Sequence, residues 1–551
     1  MPDHVAARRN ARNPSRDIGP GGHSFARSWR TVAALAPQRV AIVCGGVRLT
    51  YGEFHSQARA IAGFLAQRGV GPGDKVALQL VNSPEYMIGF FAAQLLGAVP
   101  VNVNYRYTGE EVAYLVDNSD AAALIVHDTF ADAVALATQR HSDLIVIGVE
   151  RDGNGHVEGS VAWRDAVGAA MVPPDREPDG DDLIFIYTGG TTGAPKAVMW
   201  RSDDLAVALW QMARPGSTPP DVADTIAKGR AAATLLPACP LMHGTGLFMA
   251  LSTLSGGGTV VLLDDVRLDA AAVWDAIERE QVQVVTIVGD AFARPLLTEL
   301  DASRARRDLS ALVAITSSGV TFSPECKRGL LAHLPTITIV DSLGASEGIM
   351  SRSEVKVDEP IKPAAFRLSE RMAVIADDET FIVPGDERIG MLGVGGPIPL
   401  GYYKDPDKTA ATFRTVEGRR FSIPGDYASV DSDGTITLLG RGSACINSGG
   451  EKIYPEEVEL RFKEHPEVFD AVVVGVPDDR WGEMVVALIE VAPSSSATES
   501  DLRAFARSTL AGYKVPKRVL VLDSLERAPN GKADYTLLRS IATTRVSEDP
   551  T

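Results

Sequence analysis

Short β-branched runs alternate with helical segments through the first part of this chain, from about residue 24 to 181. The runs are too short for helices and lie between turn-forming residues, so they predict buried strands. They are Lys75–Leu80, Ala121–Val126 and Leu144–Val149. The alternation predicts α/β architecture with largely parallel sheets.

The longest apolar run, Met87–Val103, contains polar and turn-forming residues at intervals. It is short for a membrane-spanning helix. Ser83-Pro84-Glu85 before it has the composition of a helix N-terminus, with Ser as the N-cap. The pattern therefore predicts a buried helix to about Leu96 and a strand at Val99–Val103.

The same alternation continues after a long surface connection predicted at Arg151–Gly180. A helix capped at Ser202 is predicted to end near Met212. The predicted strands of this part are Leu183–Tyr187, Ala233–Leu236, Val282–Val288, Ala311–Thr316 and Ile337–Val340. Gly- and Pro-rich residues at 391–403 predict a small β-rich subdomain.

Residues 444–551 have the pattern of a separate, smaller α+β unit. Asn447–Tyr454 predicts a hairpin, and Pro455 begins a helix. The other predicted elements are Ala471–Val476, Val485–Val491 and Arg518–Leu522 as strands and Glu499–Leu510 as a helix. The chain is thus predicted to have a large N-terminal domain of packed mixed and parallel sheets with helices, a β-rich subdomain, and a small C-terminal α+β domain.

The strand at Leu183–Tyr187 ends in a segment with unusual chemistry. Thr188 to Gly193 contains three glycines and three threonines, and Lys196 follows. Backbone N–H groups, hydroxyls and a cation around one flexible loop suit a polyphosphate. A surface hairpin loop is the plain alternative. The P-loop of nucleotide kinases and ATPases is disfavoured, because it needs Gly-Lys followed by Ser or Thr.

Composition narrows the class of protein. The chain has 551 residues, enough for more than one domain, and its net charge of −17 argues against nucleic acid as a partner. Neither a signal peptide nor a transmembrane segment is predicted, and the Arg-rich residues 1–23 are predicted to be a disordered basic arm. The cysteines have no metal or disulfide spacing, which predicts reduced thiols in a cytoplasmic enzyme. They are Cys44, Cys239, Cys326 and Cys445.

The order TGGTTGAPK at 188–196 resembles the phosphate loop of the acyl-adenylate-forming superfamily, which includes acyl-CoA synthetases, firefly luciferases and peptide-synthetase adenylation domains. Further motifs follow in that superfamily's order. They are PLMHGTG at 240–246, SLGASEG at 342–348, GRGSACINSGGEKIYPEEVE at 440–459 and PNGK at 529–532. The resemblance covers about residues 24–540 and is closest to actinobacterial-type fatty acyl-CoA synthetases, some of which act on steroid side-chain acids.

The resemblance implies a set of residues that hold ATP and AMP, with the turn at Ser318 and Gly319 along the adenine and with Asp426 and Arg441 at the ribose. They are Thr188, Gly189, Gly190, Thr191, Thr192, Gly193, Lys196, Ser318, Gly319, Leu343, Gly344, Ser346, Asp426, Arg441 and Lys532. Relatives commonly have Tyr where this chain has Leu343, and an aliphatic side chain offers no ring stacking, so nucleotide affinity is expected to differ modestly. Glu347, with Thr188, is implied to hold Mg²⁺, which prefers hard oxygen ligands.

The resemblance also implies the acyl site, the CoA site and the domain limits. The residues implied to border the acyl group are His243, Gly244 and Gly289. Those implied to leave room for the pantetheine arm of CoA are Ser448, Gly449 and Gly450. The implied hinge residue is Ser443. Catalytic roles are implied for Lys532, Glu347, His243 and Thr188. The implied divisions are the arm at 1–23, the large domain at 24–440, the hinge at 441–443 and the small catalytic domain at 444–551.

The resemblance therefore predicts an ATP-dependent acyl-CoA ligase for a fatty, branched or steroid-like acid. ATP and CoA are the predicted cosubstrates, and Mg²⁺ is the predicted cofactor. The acid is first activated as acyl-AMP with release of pyrophosphate, and the acyl group then passes to CoA. The alternatives are an acyl-AMP ligase that loads a separate carrier protein, and a non-catalytic acyl or nucleotide binder. Retention of Glu347, Asp426, Arg441 and Lys532 favours an enzyme, and a homodimer is left open.

Overall fold

The computed structural model describes most of the chain. The described residues are 22–151, 157–188, 194–230, 232–302, 307–320, 322–361, 365–441, 446–448, 451–478, 482–492, 495, 497–508, 510, 512–528 and 531–548. Helices and strands are numbered below in chain order. Four sheets organise the described residues.

The first sheet has a parallel centre and an antiparallel edge. In spatial order its strands are β20 (Gly401–Tyr402), β9 (Lys196–Arg201), β8 (Leu183–Thr188), β4 (Val99–Asn102), β3 (Lys75–Gln79), β5 (Ala121–His127), β6 (Ile145–Val149) and β7 (Val161–Ala162). Every residue of β3 and β4 is buried, because helices cover both faces of a parallel sheet. The predicted strands of this region are confirmed.

The second sheet repeats this plan, with antiparallel strands at both edges. In spatial order its strands are β15 (Gly348–Val355), β14 (Thr338–Ala345), β13 (Ala314–Ser318), β12 (Val284–Ile287), β10 (Thr234–Pro237), β11 (Thr259–Leu262), β1 (Val40–Cys44) and β2 (Val47–Thr50). The pairs from β14 through to β1 are all parallel. Their carboxyl ends therefore lie along one edge.

Two further sheets are mainly antiparallel. The third contains β16 (Phe366–Arg367), β24 (Thr435–Arg441), β23 (Asp426–Val430), β19 (Gly390–Gly395), β17 (Met372–Ile375) and β18 (Phe381–Ile382). In addition, β22 (Arg419–Ser422) pairs with β19, and β21 (Phe413–Val416) pairs with β22. The fourth contains β26 (Glu451–Ile453), β25 (Ile446–Ser448), β28 (Gly482–Val491) and β27 (Val468–Asp478), with β29 (Arg518–Leu522) beside β28. The fourth sheet belongs to the small C-terminal unit.

The helices cover these sheets. They are α1 (Phe25–Leu35), α2 (Tyr51–Gln67), α3 (Pro84–Leu96), α4 (Gly109–Ser119), α5 (Ala131–Arg140), α6 (Trp163–Gly168), α7 (Ser202–Ala213), α8 (Val222–Ala227), α9 (Gly244–Ser255), α10 (Ala270–Glu280), α11 (Gly289–Ala302), α12 (Pro324–His333), α13 (Pro406–Thr412), α14 (Pro455–Lys463), α15 (Glu499–Arg507) and α16 (Tyr535–Glu548). α3 is buried at every position except Glu85, as its continuous apolar sequence predicts. Within the described part of the chain, no helix is long and apolar enough to cross a membrane.

Ser83 is the N-cap residue of α3, as predicted, although its side chain makes no cap hydrogen bond. Three other local predictions were wrong in detail. Ser202 is the first residue of α7 rather than its cap, and its Oγ accepts a hydrogen bond from the Phe25 N–H. The predicted connection at 151–180 contains β7 and α6. The helix from Glu499 ends at Arg507 rather than at Leu510.

The described chain begins at residue 22, near the end of the predicted basic arm. Residues 1–21 of the predicted basic arm lie outside the described residues, and the His23 N–H donates to Oδ1 of Asp203 at 2.8 Å. Cys44, Cys239 and Cys326 are free and buried. Burial raises the pKa of each of these thiols to about 12. Cys445 lies outside the described residues.

Candidate active site

Predicted site segments follow neighbouring strands of the second sheet at their carboxyl ends. Gly289 begins α11 just after β12, Ser318 ends β13 with Gly319 next, and Leu343 and Gly344 lie near the end of β14. Ligands of open α/β sheets bind at this edge. Because β12, β13 and β14 are adjacent and parallel, the structure brings these segments together.

The turn after β14 carries Ser346 and Glu347, and the first sheet holds it in place. The Trp200 Nε1–H donates to the Ser346 carbonyl at 2.8 Å. The Tyr402 hydroxyl donates to Oε1 of Glu347 at 2.7 Å. Both donors are buried residues of the first sheet's antiparallel edge. The Glu347 carboxylate therefore lies where the two large sheets meet, with its orientation fixed by Tyr402.

The ends of the predicted phosphate loop are two adjacent strands. Thr188 pairs with Lys196 at the ends of β8 and β9. The Lys196 ammonium forms an ion pair with Asp405, and its hydrogen bond is the main cause that lowers the pKa of that carboxyl group. The loop residues Gly189, Gly190, Thr191, Thr192 and Gly193 lie outside the described residues.

His243 precedes α9, whose first residue is Gly244, and its side chain makes no cap hydrogen bond. His243 as a whole is half-buried, and protein atoms surround its ring on most sides. This desolvation, followed by the charges of Lys532 and Arg106, lowers the pKa of His243 to about 3. His243 is therefore a neutral imidazole at physiological pH.

The loop after β13 approaches the start of α11 closely. Gly319 has φ of +92°, a conformation that favours glycine, and a Cβ there would lie 3.6 Å from Cγ1 of Val288. The Gly289 N–H donates to Oγ of Ser317 at 2.9 Å. The predicted adenine loop and the predicted acyl wall are thus joined directly.

The predicted ribose and hinge residues lie at the end of the large domain. Asp426 begins β23 and faces Arg441, the last residue of β24, in the antiparallel register. The backbone therefore places the two predicted ribose contacts side by side. Ser443, Gly449 and Gly450 lie outside the described residues, whereas Ser448 is buried in β25 and pairs with Glu451 and Gly482.

Lys532 comes from the small domain and is the most distant of these residues along the chain. Gly531, immediately before it, has φ of +73°. A Cβ at Gly531 would lie 3.1 Å from Cβ of Ala291 and 3.2 Å from the Val288 carbonyl oxygen, so the Lys532 turn rests on the start of α11. The Lys532 side chain is exposed, and its charge acts on His243.

A cavity of about 450 Å³ lies between the two domains beside this contact. Arg106, Asp290 and Phe292 line it from the large domain, and Phe469 and Arg527 line it from the small one. Since the charge of Arg106 also lowers the pKa of His243, the cavity lies close to the predicted acyl site.

The predicted magnesium ligands fit that cation by their chemistry. Mg²⁺ commonly takes one or two protein carboxylates together with phosphate oxygens of the substrate. Among the described residues, no group of three or more His, Cys, Asp or Glu side chains could hold a metal by itself. The Glu347 carboxylate and the Thr188 hydroxyl are oxygen donors of the kind that such a cation takes.

Sequence reasoning missed the residues that support this site. Tyr402 was visible within the segment GVGGPIPLGYY, but nothing in the pattern related it to Glu347. Asp405 and Arg106 are polar residues near turns, where charged side chains are common. No sequence signal singled out Trp200, whose apolar strand predicts burial alone.

Comparison with known proteins decides the family. The profile of the AMP-binding enzyme family matches residues 29–403, and that of the AMP-binding enzyme C-terminal domain matches residues 457–532. The chain belongs to the AMP-binding enzyme family. The predicted superfamily is therefore confirmed.

Curated relatives in this family resemble the chain over nearly its whole length. A 3-oxocholest-4-en-26-oate–CoA ligase of Rhodococcus rhodochrous is 39% identical over 532 residues, which cover 91% of this chain and 92% of the relative. A medium/long-chain-fatty-acid–CoA/3-oxocholest-4-en-26-oate–CoA ligase of Mycobacterium marinum is 40% identical over 528 residues, covering 93% and 95%. These relatives confirm the predicted enzyme class, acid–thiol ligase.

Solved structures confirm the predicted fold class. An anthranilate CoA ligase in complex with anthranoyl-AMP superposes with a TM-score of 0.81 at 21% identity, covering 96% of this chain and 99% of that one. An ATP-bound MatB from Rhodopseudomonas palustris gives a TM-score of 0.77 at 25% identity, covering 95% and 99%. The chain therefore shares with these structures an architecture of one large domain built on sheets and one small C-terminal domain.

Proposed function

We propose that this AMP-binding enzyme is an acyl-CoA ligase that activates a hydrophobic carboxylic acid with ATP and transfers the acyl group to CoA. One observation carries the proposal. The Lys532 turn of the small domain rests on Val288 and Ala291 of the large domain, and the Lys532 charge reaches His243. These contacts support a role for the Lys532 cation at the predicted acyl site during acid activation.

In the first step, a carboxylate oxygen attacks the α-phosphorus of ATP. A new P–O bond forms, the bond to the bridging oxygen of pyrophosphate breaks, and pyrophosphate leaves with the electron pair. Both reactants are anions, so fixed positive charge and hydrogen-bond donors lower the barrier. Lys532 would bridge the carboxylate and the α-phosphate, while Lys196 would exchange Asp405 for the departing phosphates.

Magnesium ion, when bound by Glu347 and Thr188, supplies charge neutralisation at the phosphates. Tyr402 fixes the Glu347 carboxylate through its hydroxyl. His243 borders the acyl group as a neutral ring. A neutral ring suits this position, because an imidazolium would pair with the incoming carboxylate and stabilise it in its unreactive ground state.

In the second step, the CoA thiolate attacks the acyl carbonyl carbon and the bond to AMP breaks. The small domain would first rotate about Ser443, withdrawing Lys532 and presenting the hairpin at 448–452. Gly449 and Gly450 would leave room for the pantetheine arm, since they carry no side chains. The domain limits, the hinge and the CoA residues are parts of this proposal.

The acid is proposed to be fatty, branched or steroid-like. Apolar residues of α9 and α11 flank the site, and two relatives of about 40% identity act on 3-oxocholest-4-en-26-oate according to their names. Transfer to a separate carrier protein is the second candidate for the acyl acceptor. The cytoplasm is the proposed compartment.

The test is acid-dependent pyrophosphate release followed by thioester formation. Purified protein with ATP, Mg²⁺ and CoA is given acetate, octanoate, dodecanoate and a steroid side-chain acid, with carrier protein replacing CoA in a parallel series. The proposal expects thioester with the longer or polycyclic acids and none with acetate. If acyl-AMP reacted with carrier protein but never with CoA, the carrier protein would replace CoA as the proposed acceptor.

A further inference from the structure

We infer that Arg527 is a positioning residue that sets the place of Lys532 for the adenylation step. This role of Arg527 rests on the proposed function of Lys532. Arg527 is not among the residues predicted to hold ATP, the acyl group or CoA. Its partly buried guanidinium joins the Lys532 turn to Asp470.

Arg527 uses both edges of its guanidinium. Nε and Nη2 bind the two carboxylate oxygens of Asp470, with Nη2 at 3.0 Å from Oδ1. Nη1 donates to the carbonyl oxygen of Gly531 at 3.0 Å. That carbonyl belongs to the peptide unit that leads into Lys532. The fork geometry is specific to arginine, because a lysine ammonium cannot hold two acceptors in one plane.

The anchor behind Arg527 is itself rigid. The Lys463 ammonium lies 3.0 Å from Oδ1 of Asp470, and the side chains of Lys463 and Asp470 are 8% and 13% exposed. Burial alone raises the pKa of Asp470, but Lys463 and Arg527 outweigh it and hold that pKa at about 2. Asp470 is therefore ionised at physiological pH. Because it is buried, solvent screens its attraction to Arg527 less than it would screen the attraction between two surface groups.

The same anchor touches the large domain. Phe469, next to Asp470, lies under the Arg294 guanidinium of α11, with its ring centroid 5.5 Å away. Gly531 lies against Ala291 of the same helix. Arg527 thus connects the two small-domain segments that meet α11, and it fixes the distance between them.

Two described backbone hydrogen bonds close the turn that carries Lys532. They run from the Ala528 N–H to the Lys532 carbonyl at 2.9 Å and from the Gly531 N–H to the Ala528 carbonyl at 2.7 Å. Arg527 supplies a tie to the domain, so its loss would let the turn shift while the domain stays folded.

The test separates the two half-reactions in Arg527→Ala and Arg527→Lys. The first assay is pyrophosphate release from ATP and dodecanoate, and the second is thioester formation from synthetic dodecanoyl-AMP and CoA. A misplacement of about 1 Å can cost on the order of 100-fold in rate. We expect Arg527→Ala to lower the first rate by about 10- to 100-fold and the second by less than about twofold, with partial rescue in Arg527→Lys.

Asp470→Asn is the second variant, and it keeps the test decisive if Arg527→Ala does not fold. It should show the same split between the half-reactions. Arg539→Ala is the matched control, because Arg539 is an exposed small-domain arginine that pairs with Glu483 at 2.8 Å, and both of its rates should be unchanged. Circular dichroism and the melting temperature establish folding.

The outcomes distinguish this inference from the proposed function. Equal loss of both half-reactions in folded Arg527 and Asp470 variants would show a purely structural role and overturn the inference. Unchanged pyrophosphate release would overturn it as well. If the parent enzyme released no pyrophosphate with any acid, the proposed function itself would fail.

Discussion

The depressed pKa of His243 gives a prediction with a definite sign and size. Because the folded-state pKa is about 3 against an ordinary value of 6.5, the unfolded chain binds a proton as the pH falls through 6.5 and the folded protein does not. His243 therefore destabilises the fold progressively between pH 6.5 and pH 3. Because pH 5 lies 1.5 pH units below the ordinary pKa of 6.5, His243 lowers the free energy of unfolding at pH 5 by about 2 kcal/mol, at 1.36 kcal/mol per unit.

The variant His243→Asn removes the titration and isolates this contribution. Asn at an N-cap position can also add about 0.5–2 kcal/mol through a new cap hydrogen bond, but that gain is independent of pH. The free energy of unfolding should consequently fall by about 2 kcal/mol less between pH 8 and pH 5 in the variant than in the parent. Urea unfolding at the two pH values measures the difference.

Nuclear magnetic resonance of ¹³C-labelled histidine rings tests the pKa directly. The chain has nine histidines, and the ring signal missing in His243→Asn identifies His243. That signal should not titrate down to pH 4.5. Lys532→Met should raise the pKa, since the Lys532 charge is the largest cause after desolvation, whereas Lys228→Met is a control on an exposed surface. A ring that titrates near pH 6.5 in the parent would refute the reasoning.

The remaining predictions concern individual steps of the reaction. Lys532→Ala should lower pyrophosphate release by about 100-fold or more while supplied acyl-AMP still reacts with CoA, because the cation acts on the anions of the first step. Gly450→Trp should show the reverse in the same two assays. Tyr402→Phe should raise the Mg²⁺ concentration for half-maximal activity by about 10-fold, because Glu347 loses its orienting donor. Leu343→Tyr should lower the KM for ATP by about 2- to 10-fold, since aromatic stacking adds about 0.5–1.5 kcal/mol.

Matched controls accompany these variants. Tyr403→Phe removes a neighbouring hydroxyl that donates to Asp120 at 2.7 Å, away from Glu347, and should leave the Mg²⁺ dependence unchanged. If Tyr402→Phe needed the same Mg²⁺ concentration for half-maximal activity as the parent enzyme, that result would contradict an orienting role for Tyr402. Loss of both half-reactions in folded Lys532→Ala would contradict the separate use of Lys532 in the first step.

Elements with a continuous pattern could be predicted from the sequence. The β-branched run at Val282–Val288 placed β12 within a residue or two at each end, and the apolar sequence before Leu96 placed α3. The helix α6 escaped prediction because six residues are too few to show helical spacing. Ser202 shows the limit of cap signals, because a Ser near a helix start can equally serve a tertiary contact, here with the Phe25 N–H.

The site could be predicted as residues but not as an arrangement. The motifs gave Glu347, His243 and Lys532 by resemblance. The contact of Tyr402 with Glu347 joins two sheets across 55 residues, and local periodicity carries no information about such pairs. The contact of the Lys532 turn with α11 depends on how the two domains dock. The sequence therefore could not predict that burial, and after it the charge of Lys532, lowers the pKa of His243.

The most direct test of the central claim is a single-turnover experiment with [α-³²P]ATP, Mg²⁺ and dodecanoate in the absence of CoA. Acid activation predicts that labelled dodecanoyl-AMP and pyrophosphate form in equal amounts, and that added CoA then converts the adenylate to dodecanoyl-CoA and AMP. Formation of ADP and phosphate, or no acid-dependent pyrophosphate with any acid of the series, would contradict the account.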